Sequence, residues 1–370
     1  MLRCPYGLVD AGRLWYLRLK AELLKAGMMM CKYDQALFMW FDNGNLAGIM
    51  TCHVDDIIYG GQDQFHIQVV KKLKSVFSIS LEEDTKLKYL GLSIHQTDTG
   101  ISVSTQEYGN SLKELSCTTT SLSETKTFTS EQVKCLKQFC GQLNWLASQG
   151  RPDIAFDSCH IANSLKTDNP KVFGYANKVV RKVHNQDVEL KFPSDFDLNS
   201  CSVVSFCDAS FGNLPNGGSQ GGFICFLIDK SGLYTPITWQ SRKIRRVVKS
   251  TVAAECLAAV EAAETTIYLS VLIKDIFSLK QNIDSYVFCD NKNLVNAVKS
   301  TTNLEDKRLI IDISVLRDFL QQNELTDFLW VSTTFQIANA LTKQGAPTSY
   351  LTDVLNNEKL RFHMSSAMFN

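Results

Sequence analysis

Three acidic residues lie in apolar stretches of the sequence, where a carboxylate is costly. Asp208 ends the apolar run 203–207, Asp290 ends a second apolar run at 286–289, and Glu255 lies early in an alanine-rich segment. A buried carboxylate needs a cation to pair with it. Carboxylates that converge from three separate elements would suit a divalent metal ion, which prefers hard oxygen ligands. The pattern therefore predicts a metal-dependent site of the kind that cleaves phosphodiesters.

Each acid also has an ordinary interpretation when it is considered alone. Asp208 and Asp290 could cap turns that follow strands, and Glu255 could be a solvated helix residue. Glu255 favours the metal site, because few other polar groups surround it in the sequence 252–259. A fourth acid would help such a site, but Asn339 supplies an amide where one would be needed.

A basic cluster precedes the segment that carries Glu255. It comprises five cations within eight residues: Arg242, Lys243, Arg245, Arg246 and Lys249. Such a cluster could follow a phosphate backbone beside the acids. The alternative is a solvated loop, and the position next to Glu255 favours nucleic-acid binding.

The composition excludes several classes of protein. The chain has 370 residues with a formal net charge of zero, so nucleic-acid binding would depend on local patches. The 12 cysteines contain no C-x-x-C pair, which argues against a zinc module and for a reducing compartment. The sequence shows no signal peptide, and no apolar run approaches membrane-spanning length. We therefore expect an intracellular protein, cytoplasmic or nuclear, without a membrane partner.

The elements that must position the acids follow from periodicity. Three strands in antiparallel succession, followed by strand–helix alternation, predict a mixed sheet with helices packed on it. The predicted order is strands at 202–208, 221–228 and 234–240, a helix at 250–277, a strand at 285–290, helices at 291–300 and 305–322, a strand at 326–332 and a helix at 334–343.

The upstream part has a different pattern. A helix at 11–30 precedes strands at 36–41 and 46–52, and a tight hairpin is predicted to display Asp55 and Asp56 at its tip. The remaining predictions are short strands around 87–95 and 101–104, a Ser/Thr-rich linker at 117–130, and helices at 131–148, 152–165 and 170–186.

Two sets of short motifs stand in collinear order along the chain. The first set comprises YGLVDAGRLWY at 6–16, KYD at 32–34, HVDDI at 53–57, KYLGL at 88–92 and GRPDIAF at 150–156. The second set comprises DASFGN at 208–213, STVAAEC at 250–256, FCDN at 288–291 and IANALTK at 337–343. The first set resembles the reverse transcriptase of the copia-type retrotransposon polyprotein, and the second set resembles the RNase H domain of the same polyprotein.

The resemblance implies a combined α/β and α+β chain: a partial reverse-transcriptase palm, a helical thumb or linker, and an RNase H-like mixed sheet flanked by helices. The implied domains are a truncated palm at 1–116, a helical thumb/linker at 117–195, the RNase H-like domain at 196–345 and a C-terminal tail at 346–370.

The resemblance also implies roles for the residues named above. Asp208, Glu255 and Asp290 match the family's metal-binding acids, and Asn339 would be a weakened fourth ligand. The implied cofactor is two Mg²⁺ ions, with Mn²⁺ as a substitute, and the implied substrate is the RNA strand of an RNA–DNA hybrid.

Asp55 and Asp56 match the acid pair of the family's polymerase. They are expected to be vestigial, because the chain begins past the palm strand that should share their metals.

Two alternatives stay open at this point. The chain could be a decayed transposon remnant, or a repurposed module that binds nucleic acid without cutting it. It could also be one piece of a longer product, in which an upstream part of the same polyprotein supplies the missing palm.

Overall fold

The computed structural model describes residues 9–82, 84–116, 128–166, 169–214, 217–300 and 306–357. The chain divides into two compact units, one from residues 1–90 with 269–282 and the other from 91–268 with 283–370. The four-domain division drawn from the sequence stays a prediction. Most of the predicted linker at 117–130, and the end of the predicted tail, lie outside the described residues.

The first unit contains a four-stranded antiparallel sheet in the order β1-β2-β3-β4. The helices and strands of this unit are α1 (Ala11–Lys25), β1 (Met29–Met30), β2 (Leu37–Asp42), β3 (Asn45–His53), β4 (Asp56–Gly61), α2 (Asp63–Phe65), a π-helix (His66–Val70), α3 (Lys71–Val76) and β5 (Lys86–Tyr89), which lies outside this sheet. Phe65 packs so closely on the sheet that a Cβ at Gly48 would lie 2.2 Å from its ring. Glycine in β3 therefore allows the helical segment to cover the sheet.

The first helix is shorter than the predicted range 11–30. It ends at Lys25, and Gly27 follows with a positive φ of 90°. Glycine adopts this conformation readily just after a helix, so the chain turns there and enters β1.

The second unit begins with an antiparallel ribbon and a group of helices. The ribbon pairs β6 (Leu92–Thr97), β7 (Gly100–Ser104) and β8 (Glu189–Pro193). The helices are α4 (Gln106–Ser111), α5 (Ser130–Gln149), α6 (Ala155–Ser164) and α7 (Lys171–Asn185). Thr129 and Gln132 form a reciprocal capping box that fixes the start of α5. The sequence predicted the three longer helices but not β8.

The main sheet of the second unit has five strands in the order β11-β10-β9-β12-β13. These are β9 (Ser202–Leu214), β10 (Gly218–Ile228), β11 (Tyr234–Lys243), β12 (Asp284–Cys289) and β13 (Asp327–Trp330). The first three are antiparallel neighbours, whereas β12 is parallel to both β9 and β13. The accompanying helices are α8 (Thr251–Ile276), of which residues 251–268 belong to this unit, α9 (Lys292–Lys299), α10 (Lys307–Gln321) and α11 (Ser349–Asn356). The predicted mixed sheet is confirmed.

One hydrophobic core joins this sheet to the preceding helices. Phe206 and Phe288 stack with ring centroids 5.2 Å apart, and they share a buried cluster with Leu143 of α5 and Val180 of α7. Helix α11, which the sequence did not predict, contributes Leu351 to the same cluster. Part of the predicted C-terminal tail is therefore core structure.

The predicted helix at 334–343 is wrong. The chain instead forms two short 3₁₀ segments, Thr333–Phe335 and Ile337–Leu341. Gln336 separates them with an extended backbone, and its side chain accepts a hydrogen bond from the Ala338 N–H. Its amide nitrogen also donates to the Cys207 carbonyl at 2.9 Å. These contacts compete with a continuous helix and tie the segment to β9.

Helix α8 corrects the expectation that no apolar run approaches membrane-spanning length. Among the described residues it is the one helix that is long and apolar enough to do so by length and composition. Half of its most apolar stretch is buried inside the protein, which is typical of a core helix.

Candidate active site

The topology of the main sheet brings two of the predicted acids to one edge. Strands β9 and β12 are parallel, and Cys207 lies beside Cys289 in their register. The residues that follow, Asp208 and Asp290, therefore lie near each other where β12 ends. Glu255 comes from the first turns of α8, and its carboxylate, the Cys289 thiol and the Asp290 carboxylate offer ligand atoms that all lie within 4.8 Å of one another.

The acids differ in their exposure to solvent. Asp208 is 1% exposed and Glu255 is 5% exposed, whereas Asp290 is partly exposed. Burial raises the pKa of Asp208, and the nearby Asp290 carboxylate adds to the shift, while Lys343 and Thr342 oppose it. Burial raises the pKa of Glu255 to about 10, with further contributions from the charges of Asp208 and Asp290.

Two buried carboxylate oxygens need a partner. Asp208 Oδ1 and Glu255 Oε2 accept no hydrogen bond from the part of the chain that the structure describes. A buried acceptor without a partner costs free energy. A cation bound between the carboxylates would satisfy both oxygens and would reverse the rise in pKa. The donor set therefore fits a divalent metal ion.

The other oxygen of Asp208 has partners at the end of the second 3₁₀ segment. Thr342 Oγ1 donates a hydrogen bond to Asp208 Oδ2, and Lys343 Nζ lies 3.3 Å from the same oxygen. Gly222, the neighbour of Asp208 on β10, allows this segment to approach the sheet. A Cβ at Gly222 would lie 2.7 Å from Leu341 Cβ.

Asn339 lies on the same segment and contacts this lysine. Its Oδ1 accepts a hydrogen bond from Lys343 Nζ at 2.8 Å, and its Nδ2 donates to the Thr333 carbonyl at 3.2 Å. The role of Asn339 as a weakened fourth metal ligand stays a prediction.

A pocket of about 410 Å³ opens beside the acids. It is lined by Thr251, Glu255, Asp290, Asn291, Lys292, Asn293 and Trp330. Thr333 Oγ1 donates to Asp290 Oδ2 at 2.8 Å, and the Trp330 indole N–H donates to the Asp290 carbonyl at 3.1 Å. Lys292 Nζ lies 4.2 Å from the Trp330 ring centroid. Polar groups and a positive charge therefore surround the exposed side of Asp290.

All five residues of the basic cluster are exposed, but only two of them form ion pairs with the described residues. Arg242 is paired with Glu261, and Arg246 is paired with Asp312. The remaining three, Lys243, Arg245 and Lys249, form no ion pair with the described residues. Lys249 also lines a second pocket, of about 530 Å³, together with Asp306, Lys307 and Arg308.

The predicted hairpin in the first unit is confirmed. His53 ends β3 opposite Asp56, which begins β4, and Val54 and Asp55 form the turn. Asp55 and Asp56 are both exposed. Val54 has a positive φ of 57°, which is strained for a β-branched residue. The Trp15 indole N–H donates to the Val54 carbonyl at 2.7 Å and holds this turn.

Sequence reasoning did not single out three residues at the site: Cys289, Thr342 and Lys343. Cys289 could have been noticed because it directly precedes Asp290. Lys343 ends the IANALTK motif, four residues after Asn339. In the helix predicted at 334–343, that spacing would place both side chains on one face, so it was a signal that could have shown the contact.

The fold and the site define the class of the second unit. A mixed sheet with three antiparallel strands followed by two parallel ones, with acids gathered where β12 ends, is an RNase H-like fold. The first unit carries most of a match to the family model described as reverse transcriptase (RNA-dependent DNA polymerase), which covers residues 2–128.

Curated relatives extend the similarity over most of the chain. The chain is 24% identical over 363 residues to the Retrovirus-related Pol polyprotein from transposon RE1 of Arabidopsis thaliana, covering 93% of this chain and 24% of that protein. It is 27% identical over 263 residues to the putative transposon Ty5-1 protein YCL074W of Saccharomyces cerevisiae, covering 66% of this chain and 81% of that protein. The predicted resemblance to copia-type retrotransposon polyproteins is confirmed. The chain spans only 24% of the length of the RE1 polyprotein.

Among solved structures, the chain is similar to RNase H1 from the halophilic archaeon Halobacterium salinarum. That match has 19% identity and a TM-score of 0.29, and it covers 41% of this chain and 98% of the archaeal chain. The strand order of the main sheet, and not this match, defines the fold of the second unit.

Proposed function

We propose that the second unit is a metal-dependent nuclease that cuts the RNA strand of an RNA–DNA hybrid. The convergence of three acids carries this proposal: Glu255 and Asp290 offer ligand atoms within 4.8 Å of each other, and Asp208 lies beside them on the neighbouring strand and interacts electrostatically with both. The similarity to transposon Pol polyproteins and to reverse transcriptase supports it, because copying RNA into DNA produces such hybrids.

The three carboxylates would hold the divalent cation. A bound Mg²⁺ or Mn²⁺ ion supplies Lewis-acid stabilisation of phosphate oxygens and lowers the pKa of a bound water. The protein contributes the position and the charge of the ligands. Asp208 is fixed by Thr342, and Asp290 is fixed by Thr333, so neither carboxylate needs to reorient to bind a cation.

The basic residues would bind the nucleic-acid backbone. Lys243, Arg245 and Lys249 are exposed, and they lie in the strand end and loop that lead directly into α8. Arg242 and Arg246 already have acidic partners, so we expect smaller contributions from them. Selection of RNA would come from contacts with its 2′-hydroxyl groups in the minor groove.

One observation favours a second candidate, a module that binds nucleic acid without cutting it. Asn339 provides no charge, and Lys343 pairs with Asp208. A site with less negative charge would bind metal more weakly. Hybrid binding that depends on salt but is indifferent to Mg²⁺ would favour this candidate.

A cleavage assay tests the proposal. The purified chain would be incubated with Mg²⁺ and an RNA–DNA hybrid labelled on the RNA strand, with duplex DNA and duplex RNA as substrate controls. Asp208→Asn removes one acid, and Glu264→Gln is a matched control because Glu264 is exposed on the same helix as Glu255. We expect cleavage of the hybrid by the wild type and by Glu264→Gln only. Equal cleavage by Asp208→Asn, or no cleavage by any of them, would reject the proposal.

A binding assay tests the basic cluster separately. Removing a phosphate contact should reduce the salt dependence of binding by about one ion per residue. Arg245→Ala and Lys249→Ala should each show this reduction in a titration of hybrid affinity against salt. Lys230→Ala, an exposed lysine in the β10–β11 turn, should leave the slope unchanged. Equal slopes for all variants would show that the basic cluster does not contact the nucleic acid.

A further inference from the structure

The Lys343 ammonium reaches from the surface to a buried acid. The side chain of Lys343 is 40% exposed, while that of Asp208 is 1% exposed. Nζ lies 3.3 Å from Asp208 Oδ2 and 2.8 Å from Asn339 Oδ1. The positive charge of Lys343 is therefore held between the Asp208 carboxylate and the Asn339 amide oxygen.

Asn339 is well suited to hold this lysine. Its oxygen accepts from Lys343, and its nitrogen is anchored on the Thr333 carbonyl. The hydroxyl group of the same Thr333 donates a hydrogen bond to the Asp290 carboxylate. Asn339 thus belongs to a hydrogen-bonded chain between Asp208 and Asp290, in which its oxygen already faces a cation.

The charges of the site suggest how many metal ions it takes. With all three carboxylates ionised, the Lys343 ammonium brings their formal charge from minus three to minus two, and Lys292 beside Asp290 reduces it further, so a single divalent cation is enough to neutralise the site. A second divalent cation near Asp208 would be repelled by Lys343. We propose that Lys343 supplies a fixed positive charge in place of a second metal ion, so that this site binds one divalent cation, and that Asn339 positions Lys343.

This inference rests on the proposed metal site, but its test does not need cleavage. Mn²⁺ alone would be titrated into the full chain, and bound ions would be counted from the free Mn²⁺ signal in electron paramagnetic resonance. The variants are Lys343→Met, Lys343→Arg and Asn339→Asp, and Lys230→Met is the control for removal of an exposed lysine. Thermal melting of each variant without metal would verify folding.

We expect one bound Mn²⁺ in the wild type, in Lys343→Arg and in Lys230→Met. Lys343→Met should bind a second ion or should tighten the first by about tenfold or more, because a neighbouring like charge is removed. Asn339→Asp should also gain affinity for a second ion, because it adds a carboxylate.

Two ions bound in the wild type, or a Lys343→Met variant that binds Mn²⁺ like the wild type, would overturn the inference, even if the hybrid is cleaved. One ion bound without any cleavage of the hybrid would support the inference and reject the proposed nuclease. No bound Mn²⁺ would overturn both.

Discussion

Replacing Glu255 with glutamine should stabilise the metal-free protein and flatten its dependence on pH. Burial raises the pKa of Glu255 to about 10, compared with its ordinary value of 4.5. Between these values the folded protein keeps a proton that the unfolded chain has lost, so raising the pH favours unfolding. The free energy of unfolding should fall by up to about 1.4 kcal/mol per pH unit from this group.

The effect is a sizeable fraction of the stability of an ordinary domain. From about pH 6 to pH 8 the loss would reach about 2.7 kcal/mol, while whole domains have about 5–15 kcal/mol. Glutamine has the same shape and does not ionise, so Glu255→Gln should lose this part of the slope. Asp208 contributes a slope of the same sign, which is common to both proteins.

Urea denaturation with a metal chelator at several pH values would measure these slopes. Glu264→Gln, on the exposed face of the same helix, should keep the slope of the wild type. If Glu255→Gln and the wild type lose stability in parallel as the pH rises, Glu255 is not held protonated in the folded protein, and the electrostatic description of the site is wrong.

Four further substitutions test the packing around the site and the effect of burial elsewhere in the chain. Gly222→Ala should cost about 1–3 kcal/mol in urea denaturation, because its Cβ would lie 2.7 Å from a leucine of the second 3₁₀ segment. Gly141→Ala, an exposed helix position with open space, should instead gain about 1 kcal/mol. Arg151→Met should cost about 3–5 kcal/mol, since it leaves the buried Asp153 without its arginine partner, and an exposed pair broken by Arg181→Met should cost about 0–1 kcal/mol. Similar losses for both arginines would contradict the importance of burial.

Much of the fold could be predicted because its signals are local. Strands β9 and β12 begin as apolar runs that lead to an acid, and α8 is a long alanine-rich segment. Local patterns therefore placed Asp208, Glu255 and Asp290 on the correct elements. The parallel register of β9 and β12, which brings two of these acids together, follows from the mixed-sheet order.

Other features depend on tertiary contacts that no local pattern carries. The segment 334–343 has helix-forming residues, but Gln336 bonds to the Cys207 carbonyl and breaks the helix. Strand β8 pairs with β7, which lies far away in the sequence, so the local pattern of β8 did not predict a strand. The contact between Lys343 and Asp208 also joins residues that are distant in the sequence, so the sequence did not show that a lysine pairs with this acid.

The proposed function depends on a divalent cation held by Asp208, Glu255 and Asp290. Thermal melting at increasing Mg²⁺ concentration tests this directly, because a ligand that binds the folded state adds about 2.7 kcal/mol of stability at 100 times its Kd. The melting temperature of the wild type should rise with Mg²⁺, and that of Asp208→Asn should rise far less. Equal shifts in both proteins, or no shift in the wild type at millimolar Mg²⁺, would contradict the proposed metal site.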